Sequence, residues 1–173
     1  MHAQICTIGF AGKTAEEFFC LLEQAGVQTV IDIRENRFGQ LSGYAKFPDI
    51  AYFLRRIMDI AYRHEPLFAP SPEIRKAYRK DRDWSRYEAS FRNLMRERGV
   101  PQICEIGAFE GTSALLCSEP GPEKCHRRLV AELLAANWGS QGHQVEVKHL
   151  FLDRPAKRKT KKKPTADDPA HPH

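Results

Sequence analysis

The feature that most constrains this chain is a strand, helix, strand pattern in its first 33 residues. Gln4 to Ile8 is a short apolar run ending at Gly9. Thr14 followed by Glu17 has the spacing of a capping box at a helix start. Phe18, Leu21, Leu22 and Ala25 then recur at helical spacing, and Gly26 stops the helix. Val27 to Ile33 (VQTVIDI) is a nearly continuous apolar run with β-branched residues, as in a strand buried on both faces of a parallel sheet. Strand, helix, strand in so short a span is a βαβ unit, almost always right-handed.

The alternation continues. Pro48 suits the first turn of a helix whose apolar face is Ile50, Phe53, Leu54, Ile57 and Met58. Ala61 to Phe68 is a weaker strand, limited by Pro66. A helix is predicted from Glu73, and Asp83 caps a second that carries Tyr87, Phe91, Leu94 and Met95. Pro101 opens a short helical piece. Ser113 to Cys117 (SALLC) is a further strand. After Ser118-Glu119-Pro120-Gly121-Pro122 a helix is predicted from Glu123 to Asn137, and Val145 to Leu150 is the last strand. The predicted fold is α/β, a Rossmann-like three-layer domain with a mostly parallel sheet of about five strands and a helical insertion before strand four.

A length of 173 residues suits one domain with a substantial core. The formal charge of +5 points to polyanions until it is divided along the chain. Residues 154–173 hold seven basic and two acidic side chains, so residues 1–153 are neutral. The expected organisation is one α/β domain over 1–153 and a basic, disordered tail over 154–173. Within the body, residues 55–98 remain locally basic, with twelve basic and seven acidic side chains.

No run approaches the ~18 apolar residues of a membrane helix, and the first residues do not read as a signal peptide. Five cysteines, an odd number with no CxxC pair, read as free thiols in a reducing compartment. The expected location is cytoplasmic, with no membrane partner. The sequence names no cofactor and leaves the oligomeric state open.

Ligands of open α/β sheets bind outside the carboxyl ends of the strands. That rule selects four stretches. The first is Thr7-Ile8-Gly9-Phe10-Ala11-Gly12-Lys13-Thr14. It lacks the first glycine of a phosphate-binding loop, which argues against a nucleoside triphosphatase. Gly9 and Lys13 at a helix start could still hold an anion; the plain structural reading is a turn and a cap.

The second is Asp32-Ile33-Arg34. Residues two apart on a strand face the same way. A charged pair ending an apolar run is costly unless paired or used. The alternatives are a site pair, with Arg34 holding an anion and Asp32 orienting, a buried structural ion pair, or an Asp32 that ties down neighbouring loop amides.

The third is Cys117 with Cys125-His126-Arg127, predicted in the first turn of a helix. A helix N-terminus and adjacent arginines lower a thiol pKa. Cys125 is thus the thiolate candidate, His126 the acid or base, and Arg127 an anion contact, with Cys117 more structural. A metal site from Cys117, Cys125 and His126 competes, although a fourth ligand is not evident. So does plain burial of two cysteines.

The fourth is Arg75, Lys76, Arg79 and Lys80, with Arg82 and Arg86, interleaved with Tyr78, Trp84 and Tyr87. Basic and aromatic residues mixed on helices suit nucleic-acid phosphates and base stacking. A solvated face with aromatics packed inward is the plain alternative.

Taken together, TIGFAGKT with EEFF, VIDIRENRF and ALLCSEPGPEKCHRRLVAELL resemble the domain-of-unknown-function family numbered 488, over about residues 4–150. This chain has Phe10 where many relatives have His or Tyr. The resemblance implies a compact Rossmann-like domain in which Gly9, Asp32, Arg34, Cys117, Cys125, His126 and Arg127 line one pocket. It implies no reaction.

The leading expectation is therefore an anion- or nucleotide-binding pocket at the strand ends, in a protein acting on a nucleotide or nucleic acid. The first alternative is a non-enzymatic nucleic-acid-binding module using the arginine-rich helix and lysine tail. The second is a cysteine–histidine metal-binding protein.

Overall fold

A computed structural model describes residues 2–39, 42–109 and 111–152. The proposed tail over 154–173 lies outside them. Among the described residues, five strands and six α-helices follow in order. They are β1 (His2–Gly9), α1 (Ala15–Gln24), β2 (Thr29–Asp32), α2 (Asp49–Met58), β3 (Ala61–His64), α3 (Pro72–Asp81), α4 (Trp84–Glu97), α5 (Val100–Ile103), β4 (Thr112–Cys117), α6 (His126–Ser140) and β5 (Gln144–Leu150). The strands form one sheet in the order β3-β2-β4-β1-β5, and all four pairings are parallel.

Alternation along the strands sorts side chains onto two faces. Ile5, Ile31, Ile33 and Leu115 join Phe91, Leu129, Leu134 and Trp138 in one core, under α4 and α6. Cys6, Ile8, Val30, Ala114 and Leu116 join Phe18, Leu22, Ile50 and Leu54 in the other, under α1 and α2. The result is a three-layer α/β domain, with α3, α4 and α5 inserted between β3 and β4.

Local signals start the helices where the sequence predicts. Thr14 Oγ1 accepts from Glu17 N at 3.2 Å, and Glu17 Oε2 accepts from Thr14 N at 2.8 Å. Asp83 Oδ1 accepts from Arg86 N at 3.0 Å. Two of the boundaries that differ bear on the site. β3 ends at His64, because Pro66 has no N–H for a ladder and opens a 3-10 turn. Helix α6 starts at His126 rather than Glu123, with Cys125 extended at φ −139°, ψ 138° as its cap. The preceding loop is drawn toward the end of β1 instead: Ser118 O accepts from Ala11 N at 3.0 Å.

The connections place a crevice. After β2 the chain runs through α2 to the edge strand β3. After β4 it runs through α6, past β1, to the opposite edge strand β5. Adjacent strands whose connections leave in opposite directions keep a gap between their carboxyl ends. Here that gap lies between β2 and β4.

Candidate functional site

At this gap Asp32 and Arg34 meet the residues that follow β4. Asp32 is fully buried. Its Oδ1 accepts from Arg34 Nε at 2.8 Å and from Arg34 N at 3.1 Å. Its Oδ2 accepts from Arg34 Nη2 at 2.6 Å and from Tyr62 O–H at 2.7 Å. Four donors compensate a carboxylate taken out of water. The Arg34 guanidinium lies 5.2 Å over the Phe10 ring, and Arg34 O accepts from His64 Nε2 at 2.9 Å. Tyr62 and His64 did not stand out in the sequence. The signal that could have found them is topological, since consecutive strands usually pair and β3 lies beside β2.

Across the gap, Cys117 ends β4 and Cys125 caps α6, with their Sγ atoms 2.7 Å apart. Arg127 is fully buried beneath them. Its Nη1 donates to Cys117 Sγ at 3.1 Å, to Cys125 Sγ at 3.4 Å and to Glu119 O at 2.7 Å. The expectation that Arg127 contacts a ligand anion therefore needs correction. Its charge is taken up by sulfur and carbonyl partners below the cleft surface.

Burial raises a thiol pKa, but at Cys117 it is outweighed. The Cys125 S–H, the Arg127 guanidinium and the Glu119 backbone N–H bring Cys117 down to about 7. Burial, followed by the hydrogen bond to Cys117 and then the charge favoured there, pushes Cys125 well above the ordinary range. The sequence points to Cys125 as the thiolate candidate; the surroundings favour the charge on Cys117. Arg127 Nη1 lies nearer to Cys117 Sγ, at 3.1 Å, than to Cys125 Sγ, at 3.4 Å, which favours the thiolate on Cys117.

His126 sits at the first position of α6, with Nε2–H donating to Ile33 O at 3.3 Å across the gap. That tautomer leaves the Nδ1 lone pair 4.0 Å from Cys125 Sγ. Burial is the main cause that holds His126 down to about 4, and the Arg127 charge adds to it. The ring is neutral at physiological pH.

Gly9 and Lys13 hold loops together. A Cβ on Gly9 would fall 1.6 Å from Glu119 O and 2.7 Å from Arg127 Nη1, so only glycine permits this approach. Lys13 Nζ donates to Gly9 O at 2.8 Å and to Pro120 O at 3.4 Å. The amides of Phe10, Ala11 and Lys13 donate to Cys117 O, Ser118 O and Phe10 O. The expected anion cradle at this turn is thus engaged by backbone carbonyls.

These groups floor a cleft of about 330 Å³, within the range of small-molecule sites. Arg34, Cys117, Cys125 and His126 line its base, and α3 and α4 supply the opposite wall. That wall contains Tyr78, Trp84 and Tyr87. Trp84 and Tyr87 stack at 4.9 Å between centroids, and Tyr78 stands 5.1 Å from Tyr87. Arg75, Arg79, Arg82 and Lys124 line the same cleft. Arg75 is ion-paired with Glu35. Among the described residues, no carboxylate lies within salt-bridge distance of Arg79, Arg82 or Lys124. Lys76 and Lys80 are exposed and outside the lining.

The structure thus merges the third and fourth stretches, which the sequence presents as separate, into one cleft with Arg34. Lys124 is a lining residue that sequence reasoning missed; its place beside Cys125 in the turn was the available signal.

With this geometry in place, comparison by sequence gives a family. The profile of the family described as Domain of unknown function DUF488 matches residues 14–134. The chain belongs to this family. No curated protein and no solved structure matches it. The matched DUF488 segment runs from the cap of α1 into α6, and so contains both sides of the gap, the aromatic wall and the thiol pair. No helix among the described residues is long and apolar enough to cross a membrane.

Proposed function

We propose that the cleft binds a phosphate-bearing, nucleotide-like ligand, free or within a nucleic acid. The observation that carries this reading is the convergence of three cations without carboxylate partners among the described residues (Arg79, Arg82 and Lys124) with the Tyr78–Trp84–Tyr87 wall at the β2–β4 gap. Phosphate favours the cations, and a base favours the rings. Arg34, held by Asp32, whose carboxylate Tyr62 in turn anchors, presents its guanidinium from below. Reaction chemistry in this reading belongs to Cys117, Cys125 and His126, the nucleophilic and proton-accepting groups at the base.

Isothermal titration of the full chain with adenosine monophosphate and with a short single-stranded oligonucleotide tests it. Binding that falls at least tenfold in an Arg79→Ala/Arg82→Ala variant of unchanged melting temperature supports the cleft. Binding that survives this variant but disappears at moderate salt assigns it to the lysine tail.

A metal reading has its own observation. The ligand atoms of Cys117, Cys125 and His126 all lie within 4.8 Å of one another. The Arg127 guanidinium against both sulfurs repels a cation and places this reading second. Metal content of the purified protein decides it.

A further inference from the structure

Two sulfurs 2.7 Å apart at the base of a cleft, with a buried guanidinium touching both, are more than a packing detail. We infer that Cys117 and Cys125 are a reversible redox pair, oxidised by a peroxide to a disulfide, and that this oxidation raises the affinity of the cleft for anions. The affinity half of the inference rests on the proposed nucleotide reading; the disulfide half does not.

Geometry supplies the chemistry. Cys117 closes a strand and Cys125 caps a helix, so both backbones are fixed and the sulfurs face each other. Arg127 donates to Cys117 Sγ and stabilises its thiolate form, the nucleophilic one. The Cys117 sulfur attacks one peroxide oxygen, and the O–O bond breaks. The departing hydroxide takes the Cys125 proton and leaves as water, giving a sulfenic acid at Cys117. The Cys125 thiolate then attacks Cys117 Sγ and expels hydroxide, forming the S–S bond. Two electrons pass from the sulfurs to the peroxide, one thiolate charge ends on the hydroxide, and solvent protonates it. Both sulfurs are almost fully buried, so a small oxidant that enters the cleft suits them better than a bulky one.

The consequence is electrostatic. In the reduced protein, wherever Cys117 is ionised, its thiolate offsets the Arg127 charge 3.1 Å away. In the disulfide that negative charge is gone, while Arg127 stays in place, held by Glu119 O at 2.7 Å and Pro120 O at 3.5 Å. The sulfur pair lies between Arg127 and the cleft, so the uncompensated cation is felt by whatever anion sits above it. A unit charge at this depth is worth about tenfold in anion affinity.

The test uses the full chain, reduced with dithiothreitol, freed of it, and treated with hydrogen peroxide. Denaturing alkylation and peptide mass mapping locate any disulfide, and adenosine monophosphate is titrated into both forms. The expected result is a Cys117–Cys125 disulfide, reversed by dithiothreitol, and about tenfold tighter binding in the oxidised form. Absence of that disulfide, or equal binding by the two forms, overturns the inference and leaves the nucleotide reading intact. Binding by neither form removes the nucleotide reading and the gating with it. The wild-type comparison needs no variant to fold. Cys125→Ser adds a second check, since peroxide should then leave Cys117 as a sulfenic acid that a dimedone probe captures.

Discussion

Arg127 Nη1 lies 3.1 Å from Cys117 Sγ, and both residues are fully buried. A guanidinium out of water needs an anion, and the anion here is a sulfur. Replacing it with Arg127→Gln leaves the sulfur without its cation and the Glu119 carbonyl without its donor. Removing one partner of a buried ion pair typically costs about 3–5 kcal/mol, and denaturant titration should show a loss of that order. Despite burial, the Cys125 S–H and the Arg127 guanidinium bring the Cys117 thiol from its ordinary 9.0 down to about 7. Its stabilising contribution is therefore full above pH 9 and fades as pH falls through about 7. In Arg127→Gln that slope should weaken, with the Cys125 hydrogen bond remaining, and thiolate absorbance should appear at higher pH.

His126 gives a second pH signature of the same sign at lower pH. Its folded value is held from 6.5 down to about 4. The unfolded chain therefore binds the proton first as pH falls, and stability drops between pH 6.5 and 4. A shift of this size corresponds to roughly 3 kcal/mol at full development. His126→Asn should flatten that limb of the stability curve, with nuclear magnetic resonance of the ring protons following the titration directly.

The βαβ opening made the fold legible. Thr14 and Glu17, the VQTVIDI run and SALLC each carry a local signal that tertiary structure has no reason to override, and the parallel sheet follows from them. Asp32 with Arg34 was legible for the same reason, since a charged pair ending a buried strand has few uses. What was not legible is long-range. The anion expectation at Arg127 follows from a helix N-terminus in isolation. It fails because the β4–α6 loop folds over that N-terminus and places sulfurs and carbonyls against the guanidinium. The part of Gly9 was hidden likewise: its missing side chain answers to Glu119, 110 positions later. The joining of the 75–87 helices to the thiol pair depends on how an insertion packs, and no period in the sequence encodes that.

Gly9 tests how tightly this corner is built. A methyl group there meets backbone, Glu119 O, rather than a flexible side chain, so the loop after β4 must move. Overpacking of this kind costs about 1–3 kcal/mol. Gly9→Ala should lower the melting temperature and also reopen the Cys117 surroundings, read as faster alkylation of Cys117 in the folded protein.

Asp32 and Tyr62 separate charge from hydrogen bonding. Asp32→Asn leaves Arg34 buried and uncompensated, for a loss of about 3–5 kcal/mol. Tyr62→Phe removes one of four donors to the carboxylate and should cost only about 1 kcal/mol. Equal losses in the two variants would mean that the Asp32–Arg34 pair does not carry the stability of the β2 end. Chemical denaturation of both proteins makes the comparison.

The wall and the cations of the cleft should fail in different ways. Trp84 is stacked on Tyr87 and half-buried, so Trp84→Ala removes a ring face worth about 1–3 kcal/mol per stacked base and is insensitive to salt. Arg79 is exposed and without a carboxylate partner among the described residues, so Arg79→Ala removes a phosphate contact and lowers the salt slope of oligonucleotide binding by about one unit. Titrations of each variant with the same single-stranded oligonucleotide, at several salt concentrations, resolve the two. If Trp84→Ala altered the slope and Arg79→Ala did not, the ligand would lie across the cleft in the opposite sense, with its phosphates toward α4.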